Sequence, residues 1–129
     1  MSSIIPLVQL LNPELDANIL EERLQDMITK GYLCMGVYDS EKLIGVCGMW
    51  ILNKFYSGLH LEPDNVVVLA EYRNKGAGEL LMKAVYQYAH QHNCKYCELN
   101  CYINNPLAQK YWTKQGFKPL GIHMRKELN

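Results

Sequence analysis

The segment from residue 66 to residue 92 constrains the fold more than any other part of the chain, because a strand-like run passes through a short turn into a helical pattern. Residues 66–69 form a continuous apolar run, which is typical of a strand buried on both faces. Gly76-Ala77-Gly78 follows, and apolar residues then recur at helical spacing to about His92. A buried strand joined closely to a helix predicts a sheet covered by helices.

Hydrophobic periodicity predicts further elements on both sides of this segment. The N-terminal ones are a strand at 4–11, a helix at 13–30 and a hairpin of strands at 32–38 and 42–52. Asn12 is the expected cap of the helix, with Pro13 in its first position. The C-terminal ones are a strand at 95–102, a helix at 105–115 and strands within 117–128. This order predicts an α/β (α+β) protein with a mixed sheet.

Composition and charge exclude several classes of protein. A chain of 129 residues suffices for one domain, predicted over residues 1–129, and is too short for two ordinary ones. Thirteen basic and thirteen acidic side chains cancel, so no overall field draws the protein to nucleic acid or an anionic membrane. The apolar segment 4–11 is too short for a membrane span. Five cysteines, an odd number, favour free thiols in a reducing compartment, and we expect a cytoplasmic protein.

A phosphate-binding turn is one interpretation of residues 73–78. The start of a helix leaves N–H groups unpaired and carries partial positive charge, and a glycine-containing turn lets an anion approach them. Arg73 and Lys75 add full positive charges. The alternative is that Gly76 and Gly78 only make a tight turn. A P-loop and a dinucleotide-binding fingerprint are both excluded, because GxxxxGK[ST] and the third glycine are missing.

Three spaced motifs stand in this half of the chain: Arg73-x-x-Gly76-x-Gly78, Asn105-x-x-Ala108 and Trp112-x-x-x-Gly116-Phe117. Together, over about residues 62–118, they resemble the GNAT superfamily of acetyl-coenzyme-A-dependent N-acetyltransferases. The resemblance implies a mostly antiparallel, twisted sheet flanked by helices. It also implies transfer of an acetyl group from acetyl-CoA to a primary amine by direct attack in a ternary complex. A non-catalytic sensor or regulatory module that binds acetyl-CoA is the alternative.

The resemblance also implies which residues contact acetyl-CoA. Those expected at the pyrophosphate are Arg73, Asn74, Lys75, Gly76, Ala77 and Gly78. The backbone of Val66, Val67 and Val68 is expected to pair with the pantetheine arm, and an N–H near Val68 or Leu69 to face the oxyanion. Asn105 is expected near the pantetheine, although an asparagine before proline is equally a good helix cap.

Glu62 and Asp64 are the candidate general bases. Two residues apart in a strand, they are expected to share one face with Val66 and Val68. Glu62 stands eleven residues before Arg73, a spacing similar to that of the glutamate base in some members of the family. The alternative is a pair of solvated loop acids flanking Pro63. Two carboxylates also favour a cationic amine as acceptor.

Trp112 marks a departure from the family, which often has a tyrosine at this position to protonate the departing thiolate. An indole N–H donates hydrogen bonds but is no practical acid, so we expect Trp112 to pack or to contact the cofactor. Tyr111 points about 100° away around the helix and does not replace the tyrosine.

The acceptor side is the last part of the site that the resemblance implies. The residues expected there are Tyr32, Trp50, Phe55, Tyr56 and His60, with simple packing as the alternative for each. The acceptor is expected to be a small-molecule or peptide amine. No metal is expected, since Cys94-x-x-Cys97 has no second pair to complete a zinc site. Dimers are common in the family, so a homodimer is one expected assembly.

Overall fold

The computed structural model describes all residues, 1–129, in two compact units, Met1–Cys97 and Glu98–Asn129. The helices of the first unit are α1 (Ile5–Leu11), α2 (Ala17–Thr29) and α3 (Ala77–Gln91), with short 3₁₀ helices at Ser2–Ile4 and Ala70–Tyr72. Its strands are β1 (Leu33–Asp39), β2 (Lys42–Lys54), β3 (Gly58–Val68) and β4 (Tyr96–Cys97). The second unit contains one helix, α4 (Pro106–Lys114). A single domain over residues 1–129 stays a prediction.

The four strands form one sheet in the order β1-β2-β3-β4. β1 pairs with β2 and β2 with β3, both antiparallel, whereas β3 and β4 are parallel. The parallel pairing covers only two positions, His60 opposite Tyr96 and Leu61 opposite Cys97. The predicted mixed, mostly antiparallel sheet flanked by helices is therefore confirmed.

A β-bulge interrupts β3 at Asn65. Asp64 lies opposite Gly48 and Val66 lies opposite Cys47, so Asn65 has no partner of its own, and its φ is +61°. One extra residue reverses the alternation of side chains between the two faces. Glu62 and Asp64 share a face as expected, but the prediction that Val66 and Val68 share it was wrong: Val67 does.

Helices cover both faces of this sheet. One face packs against α1 and α2 in a single apolar cluster, whose buried members are Ile4, Ile5, Leu7, Leu20, Leu24, Tyr32, Val46 and Val67. The other face of the sheet carries the alternate residues of β2 and β3, of which Cys47, Met49 and Leu61 are fully buried. Because α3 packs against β1, β2 and β3 and buries Leu81 and Val85, we assign it to this second face.

The N-terminal expectations needed correction. Residues 4–11 are helical, not a strand. Their apolar run, interrupted by Gln9, does not distinguish the two by periodicity, and burial falls on Ile4, Ile5 and Leu7. The following helix begins at Ala17 and not at Pro13. Its cap is Asp16, whose side chain accepts a hydrogen bond from the Ile19 N–H at 3.0 Å.

The C-terminal strands are also shorter than predicted. Of residues 95–102 only Tyr96–Cys97 pairs in the sheet, and residues 117–128 contain no strand. A strand exists only where another strand accepts its hydrogen bonds, a condition that the apolar pattern does not contain. The predicted helix at 105–115 is present as α4, with Gly116 in the left-handed region (φ +98°) directly after it.

Candidate active site

The turn before α3 forms the first part of the site. Gly76 caps α3 with a φ of +86°, and Asn74 two residues earlier has a φ of +63°. No side chain caps this helix end, so the N–H groups of its first turn have no side-chain acceptor there. A Cβ built on Gly76 would meet no atom within 4 Å. The helix start therefore combines a left-handed glycine, open space beside it and no side-chain cap.

Arg73 connects this turn to the end of β3. Its side chain is exposed, and its Nε donates a hydrogen bond to the Val68 carbonyl at 3.1 Å. Lys75 is exposed as well. Both cations expected at the pyrophosphate thus lie beside the helix start.

The short helix Ala70–Tyr72 is tied to the turn between β1 and β2. The Tyr72 hydroxyl donates a hydrogen bond to Asp39 Oδ2 at 2.6 Å, and Lys42 Nζ lies 3.3 Å from Glu71 Oε1. Donation to the Asp39 carboxylate raises the pKa of Tyr72 above its ordinary value. These exposed contacts link the end of β1 and the start of β2 to the residues that lead into the turn at 73–78.

β3 has an open edge on the side away from β2. β4 pairs only as far as Leu61, so no strand neighbours β3 from Glu62 to Val68. The Leu69 N–H donates to the Ile44 carbonyl at 2.8 Å, which makes those two residues a hydrogen-bonded pair. Because such pairs alternate with non-bonded ones, the backbone groups of Val66 and Val68 point to the open edge.

The same alternation separates residues that the resemblance grouped together. The backbone groups of Val67 point toward β2, so only Val66 and Val68 present theirs outward. Of the two N–H groups expected near an oxyanion, that of Leu69 is used by Ile44. The Val68 N–H faces the open edge.

Glu62 and Asp64 lie in β3 and are partly buried, which does not fit a pair of solvated loop acids. Trp50 lies opposite Glu62 in β2, and its indole Nε1 donates a hydrogen bond to Asp64 Oδ2 at 3.0 Å. One oxygen of Asp64 is therefore committed to the protein. Glu62 lies two residues away on the same face.

Tyr32, expected on the acceptor side, is buried beside the bulge. It is only 3% exposed, its ring centroid lies 5.2 Å from that of Trp50, and its hydroxyl donates to Asn65 Oδ1 at 3.3 Å. Burial, with smaller contributions from Cys34 and Asp64, raises the pKa of Tyr32. The rings of Tyr32 and Trp50 thus pack together on the face of the sheet that carries the two carboxylates.

His60 and Tyr56 complete the acceptor residues predicted from the sequence. His60 is buried on the face of Glu62, with Nδ1 3.2 Å from Ser57 Oγ. Tyr56 lies in the turn between β2 and β3 and is 73% exposed. Its neighbour Phe55 is fully exposed. The structure brings His60 onto the carboxylate face and leaves Tyr56 at the hairpin tip.

In the second unit, the structure gives Asn105 and Trp112 local roles. Asn105 caps α4, its Oδ1 accepting a hydrogen bond from the Ala108 N–H at 3.1 Å, so the capping alternative is confirmed. Trp112 packs edge-on against Tyr111 and Phe117, with ring centroids 4.9 and 5.3 Å apart. The expected packing role of Trp112 is therefore present.

The sequence interpretation missed the bulge and the contacts around it. One signal was available, because Asn65 stands inside a strand pattern where asparagine is disfavoured, and asparagine tolerates the left-handed conformation that a bulge uses. Nothing local indicated that Tyr32 or Gly48 lies beside it. None of the helices has the length and apolar character needed to cross a membrane.

Comparison with known proteins agrees with this geometry. The sequence matches the acetyltransferase (GNAT) family over residues 5–117. It is 25% identical over 125 residues to the uncharacterized N-acetyltransferase YhdJ of Bacillus subtilis (strain 168), covering 95% of this chain and 88% of that protein.

Solved structures share the fold. An aminoglycoside acetyltransferase from an uncultured soil metagenomic sample, in complex with sisomicin, superposes with a TM-score of 0.79 at 15% identity, covering 98% of this chain and 87% of that one. Glucosamine-6-phosphate N-acetyltransferase from Arabidopsis thaliana gives 0.68 at 18% identity, with 99% and 92% covered. This chain belongs to the GNAT acetyltransferase family and is an acyltransferase.

Proposed function

We propose that this protein transfers an acetyl group from acetyl-CoA to a primary amine by direct attack in a ternary complex. The observation that carries the proposal is the pairing of two features, an open edge at Val66 and Val68 and an uncapped helix start at Gly76. Acetyl-CoA has an extended arm with amide groups and a diphosphate. An open strand edge and a helix N-terminus are what these two parts require.

The diphosphate fits the turn before α3. The left-handed Gly76 and the open space beside it allow close approach to the N–H groups of Ala77 and Gly78. Arg73 and Lys75 supply positive charge, and Asn74 completes the turn. Binding at this turn needs no side-chain rearrangement around Gly76.

The pantetheine arm fits the open edge of β3. Val66 and Val68 direct their N–H groups to that edge, together with the Val66 carbonyl, while the Val68 carbonyl already accepts a hydrogen bond from Arg73 Nε. Val67 supports them through its pairing with β2. Asn105 and Trp112 complete the proposed contacts. Because Asn105 Oδ1 already caps α4, its Nδ2 is the group left to donate.

Glu62 is the proposed general base, with Asp64 as second choice. When bound, acetyl-CoA supplies the thioester whose acetyl group is transferred. An alkyl ammonium has a pKa near ~10.4 and must lose a proton before its nitrogen attacks. Glu62 accepts that proton, while Asp64, whose carboxylate is held by Trp50, adds negative charge.

The proposed acceptor is a cationic amine, on a small molecule or a peptide. Two carboxylates on one face attract a cation, and the aromatic rings of Tyr32 and Trp50 stand beside them. His60 and Tyr56 extend this side. A net charge of zero supplies no attraction to nucleic acid or an anionic membrane. A cytoplasmic location, a single domain over residues 1–129 and a homodimer complete the proposal.

A two-part assay tests the proposal. Titration with acetyl-CoA should raise the melting temperature. Release of free thiol should then depend on an amine from a panel of aminoglycosides, amino-sugar phosphates, polyamines and peptides. Stabilisation without thiol release across the panel would favour a non-catalytic acetyl-CoA-binding module. Absence of stabilisation would remove acetyl-CoA from the proposal.

A further inference from the structure

A buried tyrosine stands over a glycine next to the bulge in β3. The Tyr32 hydroxyl donates to Asn65 Oδ1 at 3.3 Å. A Cβ built on Gly48 would collide with this hydroxyl and would lie 2.5 Å from the Asp64 carbonyl oxygen. Tyr32 therefore reaches Asn65 only because residue 48, opposite Asp64, has no side chain.

This contact distinguishes the bulged strand from a regular one. In a regular strand, residue 65 would point to the face opposite that of Asp64 and away from Tyr32. The bulge, with Asn65 at a φ of +61°, brings its side chain to the Tyr32 hydroxyl. A buried hydroxyl without a partner is costly, so the hydrogen bond favours the bulged register over the regular one.

We propose that Tyr32 and Gly48 are positioning residues that hold the bulge at Asn65 and thereby direct the backbone groups of Val66 and Val68 to the open edge. This inference rests on the proposed binding of acetyl-CoA at that edge. A one-residue slip would turn the edge-facing groups of these valines toward β2. The pair acts through the backbone of β3, without touching the reacting atoms.

A double-mutant cycle on acetyl-CoA binding tests the inference. Tyr32→Phe removes the donor and keeps the ring beside Trp50, while Asn65→Gly removes the acceptor and still allows a positive φ. Each change should raise the Kd for acetyl-CoA, measured by calorimetry, by about threefold to tenfold, which corresponds to the usual net contribution of one hydrogen bond. The Kd of the double variant for acetyl-CoA should be no higher than the higher of the two single-variant Kd values. Additive losses, or an unchanged Kd in Tyr32→Phe, would overturn the inference.

Two matched controls separate positioning from general loss of stability. Tyr38→Phe changes an exposed tyrosine of β1 and should leave the Kd unchanged. Gly48→Ala should weaken binding strongly. Gly36→Ala, whose Cβ would come nearest to the flexible end of Leu43, at 2.9 Å, should lower stability alone. Equal Kd values for the two alanine variants would contradict the role of Gly48.

Amide exchange in the free protein provides a readout independent of the ligand. Tyr32→Phe should speed exchange at Val67, whose N–H points toward β2 next to the bulge, and leave the β1–β2 pairing protected. If the wild type fails to bind acetyl-CoA, the proposed function fails. If the wild type binds and neither exchange nor Kd responds to Tyr32→Phe, only the positioning inference fails.

Discussion

Trp50 Nε1 donates a hydrogen bond to Asp64 Oδ2 at 3.0 Å across the β2–β3 pair. Charge-assisted bonds of this kind hold a carboxylate in place. One oxygen of Asp64 therefore has a partner that would compete with proton transfer, and Glu62 lies two residues away on the same face. We propose Glu62 as the general base and Asp64 as the second choice, and the matched variants below distinguish them.

Replacing Glu62 by Gln should lower kcat at neutral pH by about 10²-fold to 10⁴-fold, because a positioned general base contributes an acceleration of that size. Steady-state kinetics over a range of pH measure the effect, which should shrink as the amine itself deprotonates. Asp64→Asn is the matched variant, with a smaller expected loss. The roles would be exchanged if Asp64→Asn proved the more damaging change.

Replacing Gly76 by Ala should weaken acetyl-CoA binding by about tenfold to a hundredfold, the worth of hydrogen bonds to a charged group. Gly31→Ala is the control: Gly31 also has a positive φ, +102°, and open space around its Cβ position. Both variants should lose similar stability from left-handed strain. Calorimetry should then show weak binding for Gly76→Ala alone, and equal Kd values would argue against a phosphate-binding turn.

Ultraviolet titration can test the tether between Tyr72 and Asp39. The folded-state pKa of Tyr72 is raised because its hydroxyl donates to the Asp39 carboxylate, so this hydrogen bond persists below the ordinary tyrosine pKa and is lost as pH rises through the raised value. Asp39→Asn should make Tyr72 ionise at lower pH. The spectrum of each protein minus that of its Tyr72→Phe counterpart isolates this group, and an unmoved titration would disprove the contact.

Two thiols, the partly buried Cys34 and the buried Cys47, should make the free energy of unfolding fall in alkali. Burial raises the pKa of Cys34 to about 11 and of Cys47 to about 12, from an ordinary value of 9.0. The unfolded chain ionises first, so their contribution is complete below pH 9.0 and is lost progressively toward pH 11 to 12. Urea midpoints at rising pH should fall less in a Cys34→Ala, Cys47→Ala double variant. An identical decline would exclude the thiols as its cause.

Local signals were sufficient for much of the site. The passage from strand to Gly76 to α3 was predicted from adjacent residues, because a left-handed glycine and a helix start depend on their immediate neighbours. The capping role of Asn105 followed from its position before Pro106 in the same way. Residues 4–11 show the limit: their apolar run suits either element, and packing against α2 and β3 selected the helix.

The amino-acid order by itself determined the starts of α3 and α4, the glycine turn and the two acids on one face of β3. Tertiary structure alone decided that Asn65 forms a bulge, that Val66 and Val68 face the open edge, and that Asp64 is held by Trp50. The physical reason is the range of the interactions. Turns and caps are formed by neighbours in the chain, whereas strand register and free edges depend on hydrogen bonds to residues distant in sequence.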